Sequence, residues 1–216
     1  MADLFTRAQQ GVASRRRSRP RWRHHSTATP ATKTNGTTAI CTMIQPAPSS
    51  MHAWQFARAL AVSERHGWTR FVSMQNLVNL LYREEEREML PLCAAEGIGV
   101  IPWSPQARGR LTRDWDYTSI RTETDDAHQR LFGRSVEADR KVVDRVAEVA
   151  KARGIPRAQV ALAWLLAKPV ITAPIVGATK LHHLDDALAS VNVTLSADEI
   201  TSLEAPYVPH AVVGFV

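Results

Sequence analysis

The residues with the clearest chemical potential lie between Val170 and Ala187, where an apolar run precedes a glycine and a polar helix start. The run predicts a buried strand, and Gly177 predicts a tight turn after it. Thr179 is the expected N-cap of a helix. The first amides of a helix lack partners and carry the positive end of its dipole, so with nearby cations they can bind a phosphate. The cations here are Lys180, His182 and His183.

An ordinary strand-to-helix turn with solvated histidines is the alternative for this stretch. In either case the helix is predicted to have an apolar face formed by Leu181, Leu184 and Leu188.

Two further predicted strands end in groups suited to a planar, polar ligand. Gln75 and Asn76 follow the strand that begins at Arg70, and their amides match a ligand carboxamide, although a buried amide that caps backbone is the alternative. Trp103 ends the strand from Ile98 and offers a face for ring stacking, although most tryptophans are simply core. An arginine-bearing loop follows. Together with the predicted phosphate site at the helix start near Thr179, these groups favour an extended ligand with a nicotinamide-like end and a phosphate end.

Other common site motifs are absent from the sequence. It contains no G-x-G-x-x-G after a strand, no P-loop, no G-x-S-x-G and no zinc-ligand pair of recognisable spacing. The sequence therefore favours neither a Rossmann pocket nor a metal centre.

Length and composition predict one soluble domain. The chain has 216 residues, 44% of them hydrophobic and 22% charged, and no apolar run long enough to span a bilayer. Cys41 and Cys93 lie far apart and form neither a disulfide framework nor a metal pair, so we expect a reducing cytoplasm.

The net charge of +6 is uneven along the chain. Residues 1–48 carry the run RRRSRPRWRHH at Arg15 to His25 and a single acid, Asp3, so the remainder is not basic. We expect this segment to be a disordered tail; a basic arm that touches phosphates and an organelle transit peptide are the alternatives. Nucleic-acid binding is not expected for the body of the protein.

The chain from residue 49 alternates between predicted strands and helices. Helices are expected after Ser49-Ser50 up to Gly67, over Arg83 to Ala95 with a kink at Pro91, and over Ala138 to Arg153. The apolar stretch Ala158 to Ala167 is expected to be a buried helix, and Ser196 with Glu199 forms a capping box for a last helix. Thr112 to Glu137 is expected to be a long loop. Short strands that are apolar on both faces predict a parallel sheet, either doubly wound or part of a barrel.

Several segments together resemble the aldo/keto reductases, and specifically bacterial relatives of the voltage-gated potassium channel β subunit. They are SSMHAWQFARAL, FVSMQN, NLLYREEEREMLPLC, GIGVIPWSPQARGRL, AQVALAWLLAKPVITAPIVGAT and YVPHAVVGF, within residues 49–216. The resemblance implies a (β/α)8 TIM barrel that binds NADP(H) across its C-terminal face and reduces small-molecule aldehydes or ketones. Residues 49–216 would be roughly the C-terminal half, with parallel strands and helical crossovers.

The resemblance also implies roles for individual residues. The nicotinamide carboxamide would be held by Ser49, Ser50 and Gln75, and the ring would stack on Trp103. The pyrophosphate would be wrapped by the following loop, Ser104, Pro105, Gln106, Ala107, Arg113 and Arg121. The 2′-phosphate and adenine would be held by Gly177, Thr179, His183 and Asp186. Lys180 is added to this set because of its charge near the helix start, and not because of the resemblance.

Departures from the family pattern affect the expected activity. Gln106 and Ala187 stand where relatives usually carry other residues, which predicts a lower cofactor affinity. The family's catalytic Asp, Tyr, Lys and His belong to the first half of the barrel, which has no counterpart in residues 1–48. We therefore expect a truncated chain without catalytic residues that is inactive alone, and that self-associates through exposed sheet edges. The alternatives are a non-catalytic NADP(H)-binding or assembly module, or an inactive gene fragment.

Overall fold

The computed structural model describes residues 48–117 and 136–213. The predictions for the basic segment, for the middle of the long loop and for Arg121 lie outside the described residues. Within them, the α-helices are α1 (Ala53–His66), α2 (Met89–Ala95), α3 (Val136–Arg153), α4 (Arg157–Leu166), α5 (Leu181–Ala189) and α6 (Ala197–Glu204). Short 3-10 helices span Glu84–Glu86, Ala107–Thr112 and Ser190–Asn192.

The sheet is parallel, as expected, and its neighbours follow chain order. β1 (Ser73–Met74) pairs with β2 (Gly99–Val100) in the register Ser73 to Gly99. Single parallel bridges extend the sheet from Ser49 to Gln75 on one side and from Val100 to Ile171 on the other. Four extended segments, around residues 49, 74, 100 and 171, therefore lie side by side, with α-helices in the connections between them.

The last of these segments approaches β2 closely because β2 carries a glycine. A Cβ atom on Gly99 would collide with the side chain of Thr172. The amide of Thr172 donates to the carbonyl of Val100 at 2.8 Å, so the missing side chain permits this pairing.

Helix α1 forms where its periodicity predicts and packs through a narrow face. Phe56 and Leu60 are buried, whereas Trp54 is 58% exposed. The helix ends at Gly67, whose φ of 63° is the left-handed conformation that terminates helices. The N-cap is His52 rather than the predicted serines.

Helix α4 is the buried helix that its composition predicts. Its buried residues run without interruption from Val160 to Leu165. Helix α3 packs beside it and against α6, and α3 contributes Val142, Val143 and Val146 to the same core. This core positions the sheet from one side.

Two local predictions are wrong. Pro91 does not kink a long helix, because a 3-10 turn at Glu84–Glu86 precedes α2 and Pro91 lies in the first turn of α2, where no intrahelical amide is needed. The predicted buried strand from Val170 reduces to one bridge at Ile171, and Ile175 is 42% exposed. Among the residues that the structure describes, the segment pairs only with β2.

Helix α5 has the predicted apolar face, but that face does not pack. Leu181, Leu184 and Leu188 are 75%, 46% and 62% exposed, and α5 has no buried residue.

Candidate functional site

The carboxyl ends of the parallel segments bring three predicted site residues together. The amide of Ser50 donates to the carbonyl of Gln75 at 3.0 Å, and Leu77 forms a parallel bridge with Trp103. The indole Nε1 of Trp103 donates to the hydroxyl of Ser50 at 3.2 Å. We call this surface, formed by Ser49, Ser50, Gln75 and Trp103, the strand-end rim.

The geometry of Ser50 suits a ligand contact. Its φ is 46°, a left-handed conformation that is uncommon outside glycine and that clusters at functional sites. Its hydroxyl accepts from Trp103 and keeps its own hydrogen as a donor. Ser49 is exposed and Gln75 is half-buried, so ligand can reach both side chains.

The loop after Trp103 contains the highest density of unusual backbone in the described chain. Ser104, Ala107 and Arg108 have φ values of 50°, 48° and 56°, and Gly109 has 96°. Pro105 and Ala107 are buried, so their side chains support the loop and only their backbone could meet a ligand; Gln106 is half-buried. Left-handed non-glycine residues cost energy that the surroundings must offset.

Arg113 lies beyond this loop and is exposed. Its guanidinium lies 4.8 Å from the centroid of the Tyr117 ring. The contact lies on the surface, because both residues are exposed.

The predicted phosphate seat differs from expectation in two details. The N-cap of α5 is Lys180, with φ of −138°, and not Thr179. Thr179 instead lies with its hydroxyl 3.5 Å from Nδ1 of His183. Gly177 has no left-handed φ, and a Cβ there would meet open space, so the turn does not require a glycine. Gly177, Thr179 and Lys180 are all exposed.

Asp186 is engaged within the protein. Its carboxylate accepts from Nε2 of Gln159 on α4 at 3.1 Å. This hydrogen bond ties α5 to α4 and occupies part of the acceptor capacity assigned to the adenine.

A buried polar cluster that the sequence did not indicate lies under the C-terminal tail. The hydroxyl of Tyr207 donates to Glu84 at 2.7 Å and accepts from the amide of Arg83 at 3.0 Å. The amide of His210 donates to the same Glu84 carboxylate at 2.9 Å. The only sequence signal was the run of acids from Glu84 to Glu86, and the Tyr207 and His210 partners of Glu84 lie more than 120 residues away.

The ionisation of this cluster follows from its burial. Burial opposes the charge of Glu84, but hydrogen bonds from Tyr207, His210 and Arg87 outweigh it and hold the pKa of Glu84 below its usual range. Burial raises the pKa of the neighbouring Glu85, and the hydrogen bond from Asn76 Nδ2 at 3.1 Å only partly offsets this. Asn76 therefore does not project to the rim.

The hydroxyls of Tyr82 and Tyr207 are engaged within the protein. Burial raises the pKa of Tyr82 to about 12, and its hydroxyl is hydrogen-bonded to the backbone of Val213. Burial and the contact with Glu84 also raise the pKa of Tyr207 above its usual range. Neither hydroxyl lies on the strand-end rim.

Two concave regions of the described chain, of about 340 and 540 Å³, are lined by residues outside the rim, one beside Tyr207 and the other between α3 and the start of α4. In residues 48–117 and 136–213, no three His, Cys, Asp or Glu side chains gather as metal ligands. No described helix is both long and apolar enough to cross a membrane.

Comparison with known proteins gives a family for this chain. The sequence model of the Aldo/keto reductase family matches residues 47–207. The chain is 48% identical over 166 residues to versiconal hemiacetal acetate reductase of Aspergillus parasiticus, covering 76% of this chain and 48% of that protein. It is 47% identical over 171 residues to a protein named for aryl-alcohol dehydrogenase activity in Schizosaccharomyces pombe, covering 77% of this chain and 50% of that protein.

A third relative is an aldo-keto reductase of Fusarium vanettenii, 44% identical over 170 residues, with 77% of this chain and 45% of the relative covered. The chain thus spans about half the length of the curated relatives it matches. With a family match over most of its length and a parallel α/β core, this chain belongs to the aldo/keto reductase family.

Proposed function

We propose that this chain supplies the NADP(H)-binding side of an oxidoreductase that interconverts carbonyls and alcohols. The observation that carries the proposal is the strand-end rim, where the Trp103 indole is fixed by Ser50 and Ser50 is paired with Gln75. A flat ring oriented by a hydroxyl group, with a glutamine on the neighbouring strand end, is suited to a nicotinamide and its carboxamide. Family membership points to the same cofactor class.

The residues present fit such a cofactor in part. Ser50 keeps a donor for the carboxamide oxygen, and the loop from Ser104 to Gly109 follows the stacking ring directly. Lys180 and His183 place cations at the start of α5, where a 2′-phosphate would also meet the helix dipole. Asp186 fits less well, because Gln159 already contacts it. When bound, the cofactor supplies the hydride, and the chain's own groups orient its ring.

The proposed architecture is a (β/α)8 barrel, to which the described segments contribute neighbouring strands. Chain-order neighbours in a parallel sheet with helical connections are the arrangement that such a barrel requires. The proposed substrate is a small-molecule carbonyl compound. A cytoplasmic location is part of the proposal, supported by Cys93, a free thiol that is fully buried.

We further propose that neither Tyr82 nor Tyr207 is the catalytic acid. The hydroxyls of Tyr82 and Tyr207 are held within the protein, away from the rim. This favours a second candidate function, a non-catalytic NADP(H)-binding or assembly module. For such a module, we also propose that the chain self-associates through the exposed face of α5.

Two measurements on the full chain test these proposals. Titration with NADPH should quench tryptophan fluorescence through Trp103 and release heat in calorimetry; neither signal appearing would overturn cofactor binding. Incubation with NADPH and a simple aldehyde should give no turnover. Turnover by the chain alone would refute the proposed lack of a catalytic acid and would exclude the non-catalytic module.

A further inference from the structure

Asn79 is a polar side chain enclosed by the apolar core. It is 0% exposed, and its neighbours Leu77, Val78, Leu80 and Leu81 are 2% exposed or less. A buried carboxamide is unfavourable unless its donors and acceptor are satisfied. Its hydrogen-bond partners therefore show what it stabilises.

Both ends of the Asn79 carboxamide are bonded. Oδ1 accepts from the amide of Leu81 at 2.9 Å, and Nδ2 donates to the carbonyl of Ser104 at 3.0 Å. The backbone of Asn79 exchanges two further hydrogen bonds with Tyr82, at 3.1 and 3.0 Å. Only the NH2 group can donate to a carbonyl and only Oδ1 can accept from an amide, so these partners fix the orientation of the side chain.

The carbonyl that Asn79 holds belongs to the first strained residue of the loop after Trp103. Ser104 has a φ of 50°, and its carbonyl also accepts from the amide of Ala107 at 2.9 Å. Ala107 and Arg108 are left-handed as well. A loop with three such residues in five positions needs a fixed anchor, and Asn79 reaches it from 25 residues earlier in the chain.

We propose that Asn79 is a positioning residue for cofactor binding: through the Ser104 carbonyl it fixes the loop that follows Trp103. This proposal rests on the proposed function of the rim. Asn79 itself does not touch the cofactor. Removal of its side chain weakens binding of the nicotinamide and pyrophosphate end of a dinucleotide. Binding of the 2′-phosphate at the start of α5 is unchanged.

The first test replaces the side-chain amide of Asn79 and measures the affinity for two ligands. Asn79→Ser keeps a short acceptor for the amide of Leu81 but cannot reach Ser104. We expect affinity of the full chain for NADP+ to fall roughly ten-fold or more, since the Ser104 carbonyl loses its side-chain donor and keeps only the amide of Ala107, which belongs to the same loop. Affinity for adenosine 2′-phosphate, which lacks the nicotinamide and pyrophosphate, should stay within about two-fold. Both are measured by calorimetry.

A matched control separates positioning from general destabilisation. Leu203→Ala removes a fully buried side chain from α6, away from the loop, and lowers the urea midpoint without touching the rim. It should leave both affinities unchanged. The role of Asn79 would be overturned if Asn79→Ser lowered the affinity for both ligands equally. It would also be overturned if Leu203→Ala lowered the affinity for NADP+ and left that for adenosine 2′-phosphate unchanged.

In a second variant, the side chain keeps its volume and NADP+ binding is measured as a function of pH. Asn79→Asp keeps the shape and the acceptor for Leu81, but directs a carboxylate oxygen at the Ser104 carbonyl. Protonation of the introduced carboxyl restores a donor, so the deficit in NADP+ binding relative to wild type should shrink as pH falls from 8 to 5. A deficit that does not change with pH would contradict the proposal. If the wild-type chain binds neither NADP+ nor adenosine 2′-phosphate, the proposed function itself is refuted.

Discussion

At the scale of single residues, the rim depends on side chains whose hydrogen-bond partners are fixed by the fold. Trp103 is oriented by Ser50, Ser104 by Asn79, and Asp186 by Gln159. By contrast, Lys180 is exposed and His183 is half-buried at the start of α5. A residue-level prediction for these two side chains is direct, because they lie at the surface and the contact of His183 with the Thr179 hydroxyl is local to the start of α5.

Replacement of both cations should separate NADPH from NADH. In Lys180→Ala with His183→Ala, the 2′-phosphate loses its charged partners, whereas a ribose hydroxyl never needed them. A charge-assisted contact contributes about 1.5–3 kcal/mol, so NADPH affinity should fall roughly ten-fold or more while NADH affinity is nearly unchanged. Fluorescence titration with each cofactor measures this.

The control for the Lys180 and His183 double variant replaces one lysine and one histidine at sites away from the start of α5. Lys151→Ala with His66→Ala acts on exposed ends of α3 and α1 and should leave both cofactors unaffected. Equal losses for NADPH and NADH in the Lys180 and His183 variant would mean that the phosphate binds at a different strand end.

At the scale of elements, helix ends and the C-terminal tail carry the strongest local electrostatics. Ser196 caps α6 and accepts from the amide of Glu199, while the Glu199 carboxylate accepts from the amide of Ser196 at 2.6 Å. Arg153 at the end of α3 donates to the same carboxylate at 2.5 Å and 2.6 Å. This capping box was predicted from sequence, but its arginine was not.

The Glu199 carboxylate should make stability depend on pH. The hydrogen bonds from Arg153, and then from the Ser196 amide, lower its pKa from 4.5 to about 2 in the folded chain. A depressed pKa stabilises the fold above the unfolded value and loses that contribution as pH falls through the folded value. Glu199→Gln should cost about 0.5–1 kcal/mol at pH 7, the range for a carboxylate at a helix start, and the gap should close between about pH 4.5 and 2.

Urea unfolding at a series of pH values measures this gap. Asp198→Asn, in the same first turn, removes a carboxylate for which the structure gives no arginine contact, and should show a smaller loss. A gap between Glu199→Gln and wild type that is constant down to pH 2 would contradict the assignment.

The tail is stabilised by one phenol hydroxyl that bridges two distant segments. Tyr207→Phe removes the donor to the buried Glu84 carboxylate and the acceptor for the Arg83 amide. Leaving buried polar groups without partners costs about 1–3 kcal/mol, so the free energy of unfolding should fall by that amount in urea denaturation. Tyr117→Phe, on an exposed ring, is the matched control and should change it little; equal effects would show that the hydroxyl bridge contributes nothing.

At the scale of the whole molecule, the described chain leaves apolar faces uncovered. Leu181, Leu184 and Leu188 form one exposed face of α5, and Val191 next to it is 69% exposed. Contiguous apolar surface of this kind marks interaction sites or drives association. The extended segment at Ile171 is paired with β2, and the described residues form no pairing on its other side.

Self-association should depend on that face. The chain should sediment above its 24.0 kDa mass at high concentration, and Leu184→Lys with Leu188→Lys should shift it toward the monomer, because each lysine places a charge in the apolar contact. Ala94→Lys with Ala152→Lys adds the same charge at exposed sites on α2 and near the end of α3. If both double variants behave alike, the face of α5 is not the contact.

The sequence by itself determined the local structure and the family. Apolar periodicity placed α1 and α3, and apolar composition placed α4. Gly67 and Gly154 ended two helices through positive φ, and Ser196 with Glu199 marked the start of α6. These features depend on residues within a few positions of each other, so neighbouring sequence encodes them. Strand ends carrying Gln75 and Trp103 were predictable for the same reason, since parallel strands bring their carboxyl ends to one edge.

Tertiary structure alone decided which partner each polar group takes and which apolar faces are covered. Asn79 reaches Ser104 across 25 residues, and Tyr207 reaches Glu84 across 123. No local pattern encodes such pairs, because they depend on where separate segments cross. The leucine face of α5 has the same periodicity as a buried face, yet it stays exposed because, among the described residues, no element packs against it.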